Sequence, residues 1–448
     1  MSGTRKMEEF LEYCEEVRKF ALSFKEPLIV HHYDADGLAS GAIVINAMLK
    51  AGKAYRSRAI KKLDDAAIET LVNEKEIIFV DLGGGNVRVN ELQDIVIIDH
   101  HQTSGIKKMQ ANPILHGIDG GDELSAAGTA YCVFRNNVEL GVVGAVGDMQ
   151  HPLKWFNRWL LEEGEKTGEI KIENDLRFYG RYCRPLVQFL TYSDDPYIPM
   201  ISYREERALK LLDDLGIALK EGEYLRVYAD LSVEEKRKLI SAIATLLPTM
   251  SKTKELIGES YVFPKRPKNE TFEANEFSTL LNACGRHGKA AIGIGVCLNK
   301  EEAYEEARGM LLFHRRALKE GIDCGARRIQ DFGNFRFLDA RNIIEENIIG
   351  TICGMLLNPK IEKPIIGIAN GEANTIKVSA RASNKLIAEG LNLGQIMKES
   401  AAKVNGIGGG HRIAAGASIP ANLLNEFLLL LDEKCDKGRS NKQQKTNL

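Results

Sequence analysis

The stretch from Leu28 to Gly37, Leu-Ile-Val-His-His-Tyr-Asp-Ala-Asp-Gly, joins a short apolar run to two histidines, two carboxylates and a glycine. An apolar run, a glycine and then a periodic apolar segment predict a strand, a tight turn and a helix. In extended backbone Asp34 and Asp36 lie on one face, where two carboxylates repel unless one is protonated or a cation lies between them. The stretch therefore fits a divalent-metal site or a turn that Asp and Gly only shape.

Three further apolar runs end in a carboxylate or an imidazole. The groups at these ends are Asp81, the triplet Asp99-His100-His101, and Asp148. In open α/β sheets, ligands bind at the carboxyl ends of the strands. Four such endings in one chain favour the metal site over four unrelated turns.

The motifs around these residues resemble those of the DHH phosphoesterase superfamily, in order and at suitable spacing. The matching positions are His32 to Gly37, Asp81, Asp99 to His101, and Asp148, followed by Gly408, Gly409, Gly410 and His411. The last group is similar to the signature of the associated C-terminal domain, the DHHA1 type. Within the superfamily, the long middle segment and the stretch Leu280 to Gly288 are most similar to archaeal RecJ-like nucleases, including the GINS-associated nuclease.

The resemblance implies a centre for two metal ions. It implies that Asp81 bridges the ions, that Asp34 and a histidine of the first motif complete one site, and that Asp36, His100 and Asp148 complete the other. Two ions about 3.5–4 Å apart need such a shared ligand, and a hydroxide between them is a nucleophile near neutral pH. Mixed imidazole and carboxylate ligands suit Mn²⁺ better than Mg²⁺, with Mg²⁺ or Co²⁺ as substitutes.

The histidine of the first motif departs from the family pattern. In many relatives it lies four residues before the first aspartate, where this chain has Val30. His31 and His32 are the candidates, and strand alternation puts His32 on the same face as Asp34. We therefore predict that His32 is the ligand and that His31 points into the fold.

Other residues are predicted to act around the ions. The resemblance implies that Asp99 orients a neighbouring ligand, and that His101 faces the phosphate as a hydrogen-bond donor or as the acid for the leaving group. Gly408, Gly409 and Gly410 form a predicted loop whose N–H groups converge on an anion, with His411 as a charged donor. Further predicted phosphate contacts are Arg381, in a stretch that matches the same domain, and Arg286 and His287.

Composition sets limits on location and binding. The net charge of −2 gives no global field for nucleic acid, so a polyanion site must be a local basic patch. The eight cysteines contain no Cys-x-x-Cys pair, which favours reduced thiols and a cytoplasmic location. The charged N-terminal segment is unlike a signal peptide, and no apolar run approaches the roughly 18 residues of a membrane span.

The alternation of strands and helices predicts an α/β fold with a mostly parallel sheet. We predict a DHH catalytic domain at 1–200 and an inserted middle domain rich in helix at 201–335. A smaller α/β substrate-binding domain of the DHHA1 type is predicted at 336–436, and a disordered basic tail at 437–448. Leu140 to Asp148 is predicted to be helical.

The resemblance implies a metal-dependent phosphodiesterase that removes nucleotides from an end of single-stranded DNA or RNA, in DNA replication or repair. GINS or another replisome protein is the implied protein partner. One alternative is a small-nucleotide enzyme acting on short oligoribonucleotides or cyclic dinucleotides, against which the long middle segment counts. Another is a replisome scaffold, against which the complete set of carboxylates counts. Family II pyrophosphatases share the first four motifs but not the Gly-Gly-Gly-His motif.

Overall fold

A five-stranded parallel sheet forms the centre of the first part of the chain. Its strands are β1 (Leu28–His32), β2 (Arg56–Ile60), β3 (Glu76–Val80), β4 (Asp94–Ile98) and β5 (Met109–Ala111), in the order β2-β1-β3-β4-β5. The three central strands are nearly continuous apolar runs, because each has both faces covered by other elements. Since all neighbouring pairs are parallel, the carboxyl ends of β1, β3 and β4 meet at one edge of the sheet.

The computed structural model describes residues 3–103, 105–193, 198–247, 253, 256–357, 361–372 and 374–443. The chain divides into two units, Met1–Leu311 and Leu312–Leu448. In the described residues, no helix is both long and apolar enough to cross a membrane.

The helices of the first unit surround this sheet and extend beyond it. They are α1 (Gly3–Ala21), α2 (Ala35–Lys50), α3 (Asp65–Glu69), α4 (Ala126–Phe134), α5 (Val138–Gly147), α6 (Trp155–Lys166), α7 (Leu186–Thr191), α8 (Glu205–Asp214), α9 (Val233–Leu246), α10 (Ala274–Arg286) and α11 (Ala290–Cys297), followed by α12 (Glu301–Arg328), which continues into the second unit. Short 3-10 helices lie at Val87–Glu91, Pro113–His116 and Tyr228–Asp230.

Separate apolar cores hold the first unit together. One core lies where α2, α4, α5 and α10 pack on the face of the sheet that includes Ile29 and Ile78, and a smaller one covers the opposite face around Phe79. A third core belongs to residues 176–256 alone and contains Phe189 and Tyr228. An antiparallel pair, β6 (Lys171–Leu176) with β9 (Ile257–Val262), lies at the two ends of that segment, and a small hairpin, β7 (Lys220–Glu221) with β8 (Tyr224–Leu225), lies within it.

The second unit is built on a six-stranded mixed sheet. Its strands are β10 (Gln330–Phe332), β11 (Phe335–Asp339), β12 (Ile365–Asn370), β13 (Thr375–Arg381), β14 (Ile407–Gly410) and β15 (Ala414–Pro420), in the order β10-β11-β12-β13-β15-β14. Its helices are α13 (Ile349–Leu356), α14 (Asn384–Ala388), α15 (Leu393–Lys403) and α16 (Leu424–Gln443), with a 3-10 turn at Ala421–Leu423. Apolar residues cover both faces of this sheet.

The predicted fold class is confirmed: a parallel sheet in the first unit, a helical middle region and a sheet-based C-terminal unit. The domain bounds at 200 and 335 stay a prediction. Within the predicted middle domain, α10 packs against α2 and α5 and so joins the core of the first sheet.

Two local predictions differ from the structure. The glycines at 408–410 lie in an edge strand paired with β15 rather than in a loop. Helix α16 runs on to Gln443, so residues 437–443 are helical rather than disordered, because each further residue adds a hydrogen bond to a helix already formed. Residues 444–448 of the predicted tail lie outside the described residues.

Candidate metal centre

The carboxyl ends of three parallel strands bring the first group of candidate ligands together. His32 is the last residue of β1, Asp81 follows β3 directly, and Asp99 and His100 follow β4. Asp81 has a φ of +60°, a left-handed conformation that costs free energy for a residue with a Cβ. Its N–H still donates to the Ile98 carbonyl at 2.9 Å, so the chain turns at that point without losing the sheet hydrogen bond.

The candidate ligands form three overlapping groups, in each of which one ligand atom per residue lies within 4.8 Å of the others. The groups are His32, Asp34 and Asp81; Asp36, His100 and Asp148; and Asp81, His100 and His101. Asp148 reaches the centre from the end of helix α5, as the helical prediction for that segment required. Asp81 is shared between the side with His32 and the side with His100, which is the arrangement of a bridging ligand.

The two oxygens of Asp81 face opposite sides of the centre. Its Oδ2 lies 3.4 Å from Nδ1 of His32, which is also 2.9 Å from Oδ2 of Asp34. Its Oδ1 lies 3.3 Å from Nε2 of His100, which is also 3.3 Å from Oδ2 of Asp148. One carboxylate therefore touches both sets of ligands, one oxygen to each.

Two buried polar atoms in this centre indicate whether the residues present fit a cation. Oδ1 of Asp81 and Nε2 of His100 have no hydrogen-bond partner among the described residues. Leaving such atoms unsatisfied costs roughly 1–3 kcal/mol each. A divalent cation would satisfy both, and the nitrogen and oxygen donors around them suit Mn²⁺.

Hydrogen bonds fix the orientation of two imidazoles. Nδ1 of His100 lies 2.6 Å from the Gly120 carbonyl, and Nδ1 of His101 lies 2.8 Å from Oδ1 of Asp99. A carbonyl or carboxylate oxygen only accepts, so Nδ1 is the donor in both rings and Nε2 is left free to bind a metal or substrate. The His101 side chain is 58% exposed, so its Nε2 edge is open to solvent.

Asp99 is fully buried and shapes the turn after β4. It accepts hydrogen bonds from the backbone N–H groups of Gly84, His100 and His101 and from the His101 ring. Burial opposes ionisation, but the bond from His101 outweighs it and lowers the pKa of Asp99. Asp99 thus positions His101.

Asp36, in the first turn of α2, is buried against the N-terminus of α4. Its carboxylate accepts from the N–H groups of Ala126 at 2.7 Å and Ala127 at 2.9 Å, where the positive end of the helix dipole favours an anion. Burial nevertheless raises the pKa of Asp36 well above its usual range, and the carboxylates of Asp81 and Asp148 add to this. A cation among these groups would favour the ionised form.

Burial and neighbouring charges also shift the pKa values of Asp148, Asp81 and His32. Burial and nearby carboxylates raise the pKa of Asp148 to about 6. For Asp81, burial is outweighed by the attraction of the nearby His100 and His32 imidazoles, and its pKa is lowered. For His32, burial is outweighed by Asp34 and Asp81, and its pKa rises to about 11. Without metal the site therefore holds protons that a cation would displace.

His31 points away from this centre. Its Nδ1 lies 2.8 Å from the His32 carbonyl and its Nε2 lies 3.1 Å from Oγ of Ser57, with only 1% of the residue exposed. Burial lowers the pKa of His31. The alternation of β1 thus places His32 and His31 on opposite faces.

Helix α10 brings the predicted contacts Arg286 and His287 to the first motif. Asn282 accepts from the N–H of Ala35 at 3.0 Å, and a Cβ at Gly285 would lie only 1.7 Å from the Tyr33 carbonyl oxygen. Burial lowers the pKa of Arg286, whereas Tyr33 and Asp34 act in the opposite direction. Arg286 ends the helix and His287 caps it.

The remaining predicted substrate contacts belong to the second unit. Arg381 ends β13 and donates to the Ala380 carbonyl, and the His411 N–H donates to the Ala414 carbonyl. The predicted anion nest at 408–410 is not formed, because N–H groups alternate in direction along the edge strand β14. A role of Gly408, Gly409, Gly410, His411 and Arg381 in binding substrate stays a prediction.

Several residues of the centre were missed by the sequence analysis. They are Gly120, whose carbonyl accepts from His100; Gln150, which donates to the same carbonyl; Asn157, which donates to Gln150; Gly144, where a Cβ would meet Asp36; and Asn282. Gly120, Gln150 and Asn157 act through contacts with residues distant in sequence, for which no local signal exists. Asn282 lay within the stretch that supported the family resemblance but was given no role.

Three known domain families match successive parts of the chain. The DHH family, N-terminal domain, matches residues 27–146, the DHH-CID domain matches residues 178–257, and the DHHA1 domain matches residues 334–437. An uncharacterized protein of Methanocaldococcus jannaschii is 30% identical, in an alignment that covers 94% of this chain and 98% of that protein.

Solved structures with the same fold include CDC45 from Entamoeba histolytica, with a TM-score of 0.64 and 14% identity over 97% of this chain and 99% of that chain. They also include a manganese-bound exonuclease RecJ, with a TM-score of 0.54 and 16% identity over 95% of this chain and 94% of that chain. At these identities the likeness concerns the fold.

Proposed function

This chain belongs to the DHH superfamily, and its fold is like that of RecJ. We propose that it is a two-metal phosphodiesterase that removes nucleotides from an end of single-stranded nucleic acid. One observation carries the proposal. Oδ1 of Asp81 and Nε2 of His100 are buried, lack a hydrogen-bond partner among the described residues, and lie where the ligand groups overlap. The manganese in the RecJ structure supports Mn²⁺ as the ion.

Each residue of the candidate centre has its own role in this proposal. His32 and Asp34 would hold one cation, Asp36, His100 and Asp148 the other, and Asp81 both. Bound cations supply Lewis acidity and lower the pKa of a coordinated water. His101, whose ring is held by Asp99 and whose side chain is 58% exposed, would donate to a phosphate oxygen or to the leaving oxygen.

A replisome role is the second candidate, supported by the likeness of nearly the whole chain to CDC45. In that case GINS or a similar replisome protein would be the partner, and the DHH-CID segment at residues 178–257, with its own core, is a candidate contact region. The complete set of ligands favours activity in addition to binding.

Activity is tested with end-labelled DNA and RNA strands of about 30 nucleotides and with a dinucleotide, each incubated with Mn²⁺. We expect shortening of a long strand, and a loss of more than about 100-fold in Asp81→Ala, because removing a direct ligand should exceed the cost of losing an orienting group. Asp214→Ala, an exposed carboxylate in α8, is the matched control and should retain activity.

Activity confined to the dinucleotide would favour the small-nucleotide alternative. If the folded, metal-loaded chain leaves every strand intact, the exonuclease proposal is wrong.

A further inference from the structure

The loop between α5 and α6, together with the first residue of α6, exposes two large apolar side chains to solvent. Met149, the residue after Asp148, is 84% exposed, and Trp155, the first residue of α6, is 66% exposed. Their φ angles are +60° and +46°, a region that bulky residues rarely occupy. Such strain persists only where neighbouring contacts enforce it, and it concentrates at functional sites.

Gln150 ties this loop to the metal centre. Its side-chain amide donates to the Gly120 carbonyl at 2.8 Å, the same carbonyl that accepts from Nδ1 of His100. Asn157 in α6 donates to Oε1 of Gln150 at 2.7 Å, and its backbone N–H donates to the Glu123 carbonyl at 2.9 Å. Gln150 and Asn157, which precede and follow Trp155 in the chain, therefore belong to one hydrogen-bonded network with the ring of the candidate ligand His100.

Lys154 also contacts the segment that contains Gly120. Its ammonium lies 3.1 Å from the carboxylate of Asp122, two residues after Gly120. Trp155 is thus bounded by two residues, Lys154 and Asn157, that are each bonded to the segment 119–123.

Trp155 differs from Trp159, the other tryptophan of the chain. Trp159 packs beside Tyr131, with 6.0 Å between ring centroids, and has Arg135 over its face at 4.8 Å. In the described part of the chain, the Trp155 indole pairs with no such ring or cation. A large exposed aromatic ring, in a segment joined to the candidate metal centre by hydrogen bonds, suits a binding surface.

We propose that Trp155 is a stacking surface for a nucleobase of the strand whose phosphate lies at the metal centre, with Met149 as a second apolar contact at the rim. This inference rests on the proposed function and adds how the enzyme recognises its substrate. A nucleobase is the flat, weakly polar part of a polynucleotide, and stacking on an aromatic side chain tolerates any base. Recognition at this point is therefore independent of sequence.

A single-tryptophan chain tests the contact directly. In Trp159→Phe, all indole emission comes from Trp155, because the chain has two tryptophans. We expect quenching of this emission when a single-stranded oligonucleotide is added in EDTA, where no turnover occurs. Anisotropy of the same labelled strand measures binding independently.

An abasic strand separates stacking from backbone contacts. Trp155→Ala should weaken binding of the normal strand about tenfold, within the range for loss of one stacked base, and should leave binding of a strand with abasic sites unchanged. Trp155→Phe should retain part of the affinity. Tyr224→Ala, an aromatic residue 54% exposed in the hairpin of β7 and β8, is the control and should bind as the unaltered chain does.

The outcomes distinguish the two proposals. Binding without quenching, or an equal loss on normal and abasic strands, overturns the stacking surface and leaves the nuclease proposal standing. A folded, metal-loaded chain that neither binds nor shortens any strand overturns both.

Discussion

At the scale of single residues, Asp36 depends on a glycine in the facing helix. A Cβ at Gly144 would lie 2.1 Å from Oδ1 of Asp36 and 2.4 Å from the Cβ of Ala127. Both distances are far inside van der Waals contact, and neither neighbour is a flexible chain end. The absence of a side chain at Gly144 is therefore what allows Asp36 to receive the two N–H groups at the start of α4.

We predict that Gly144→Ala displaces Asp36 and weakens both folding and metal binding. Overpacking of this kind costs about 1–3 kcal/mol in the free energy of unfolding. Urea denaturation with and without Mn²⁺ measures both effects, and the metal-dependent gain should shrink in the variant.

Gly309→Ala is the matched control, because a Cβ at this helical glycine meets open space. It should leave the Mn²⁺ effect unchanged and stabilise the chain by up to about 1 kcal/mol through helix propensity. Identical behaviour of the two variants would contradict the role of Gly144.

Ligand types could be predicted from the sequence, but their orientation could not. His32, Asp81 and Asp148 end local apolar runs, a pattern visible in the chain itself. The bonds that aim these groups join distant residues: Asp36 to Ala126 across 90 positions, and Ala35 to Asn282 across 247. Gly144 did leave a signal, since a glycine inside a helix is costly unless something must approach closely.

At the scale of elements, two buried ion pairs tie the segment after β6 to helix α10. Arg181 donates to Glu273 at 3.1 Å, and Arg184 donates to Glu276 at 2.6 Å, with all four side chains almost fully buried. Glu273 directly precedes the first residue of α10, the helix that carries Asn282 and Arg286. The position of α10 at the metal centre therefore depends on groups outside it.

Glu273 makes this attachment sensitive to pH. Burial raises its pKa to about 7 although Arg181 opposes the shift, whereas an exposed glutamate titrates near 4.3. The folded chain thus binds the proton more tightly than the unfolded chain between these values. Its stability is greatest below about pH 4.3 in this respect and falls as pH rises towards 7.

We predict that Glu273→Gln removes this part of the pH dependence. The difference in unfolding free energy between variant and unaltered chain should change by at most about 3 kcal/mol between pH 4.5 and pH 7.5, in favour of the variant at the higher pH. Denaturant titrations across this range measure the difference. Glu234→Gln, at an exposed glutamate, should follow the unaltered chain, and parallel curves for Glu273→Gln would refute the prediction.

The glycines of β14 show where element prediction failed. Three successive glycines favour a loop by their backbone freedom, and nothing in Gly408, Gly409 or Gly410 favours a strand. In the structure they are extended because β15 offers a complete row of hydrogen-bonding partners. Gly408 also packs where a Cβ would lie 2.4 Å from the Met397 carbonyl oxygen, so close contact with α15 requires glycine there. Tertiary pairing overrode the local preference.

At the scale of the whole molecule, the two units have separate apolar cores, and the three groups of candidate metal ligands belong to one of them. The first unit contains every member of the three ligand groups, and the second has its own sheet covered by apolar residues on both faces. Parallel-sheet alternation in the first half and an α/β pattern near the C-terminus predicted a separate C-terminal domain from residue 336, and that bound stays a prediction. The length of the middle segment was also visible, but not the return of α10 to the first core, since that depends on contacts between distant helices.

We predict that metal binding stabilises the first unit alone. A cation that binds only the folded site at 100 times its dissociation constant adds about 2.7 kcal/mol to the free energy of unfolding. Because the ligands join β1, β3, β4 and α5, hydrogen exchange should slow on adding Mn²⁺ in peptides from residues 28–50, 76–101 and 126–148, while peptides from 361–372 and 374–443 keep their rates. Asp81→Ala should lose the protection throughout the first unit, because that residue belongs to both sides of the centre. Equal protection of both units, or protection that survives in Asp81→Ala, would mean that the cation binds somewhere other than the ends of these strands.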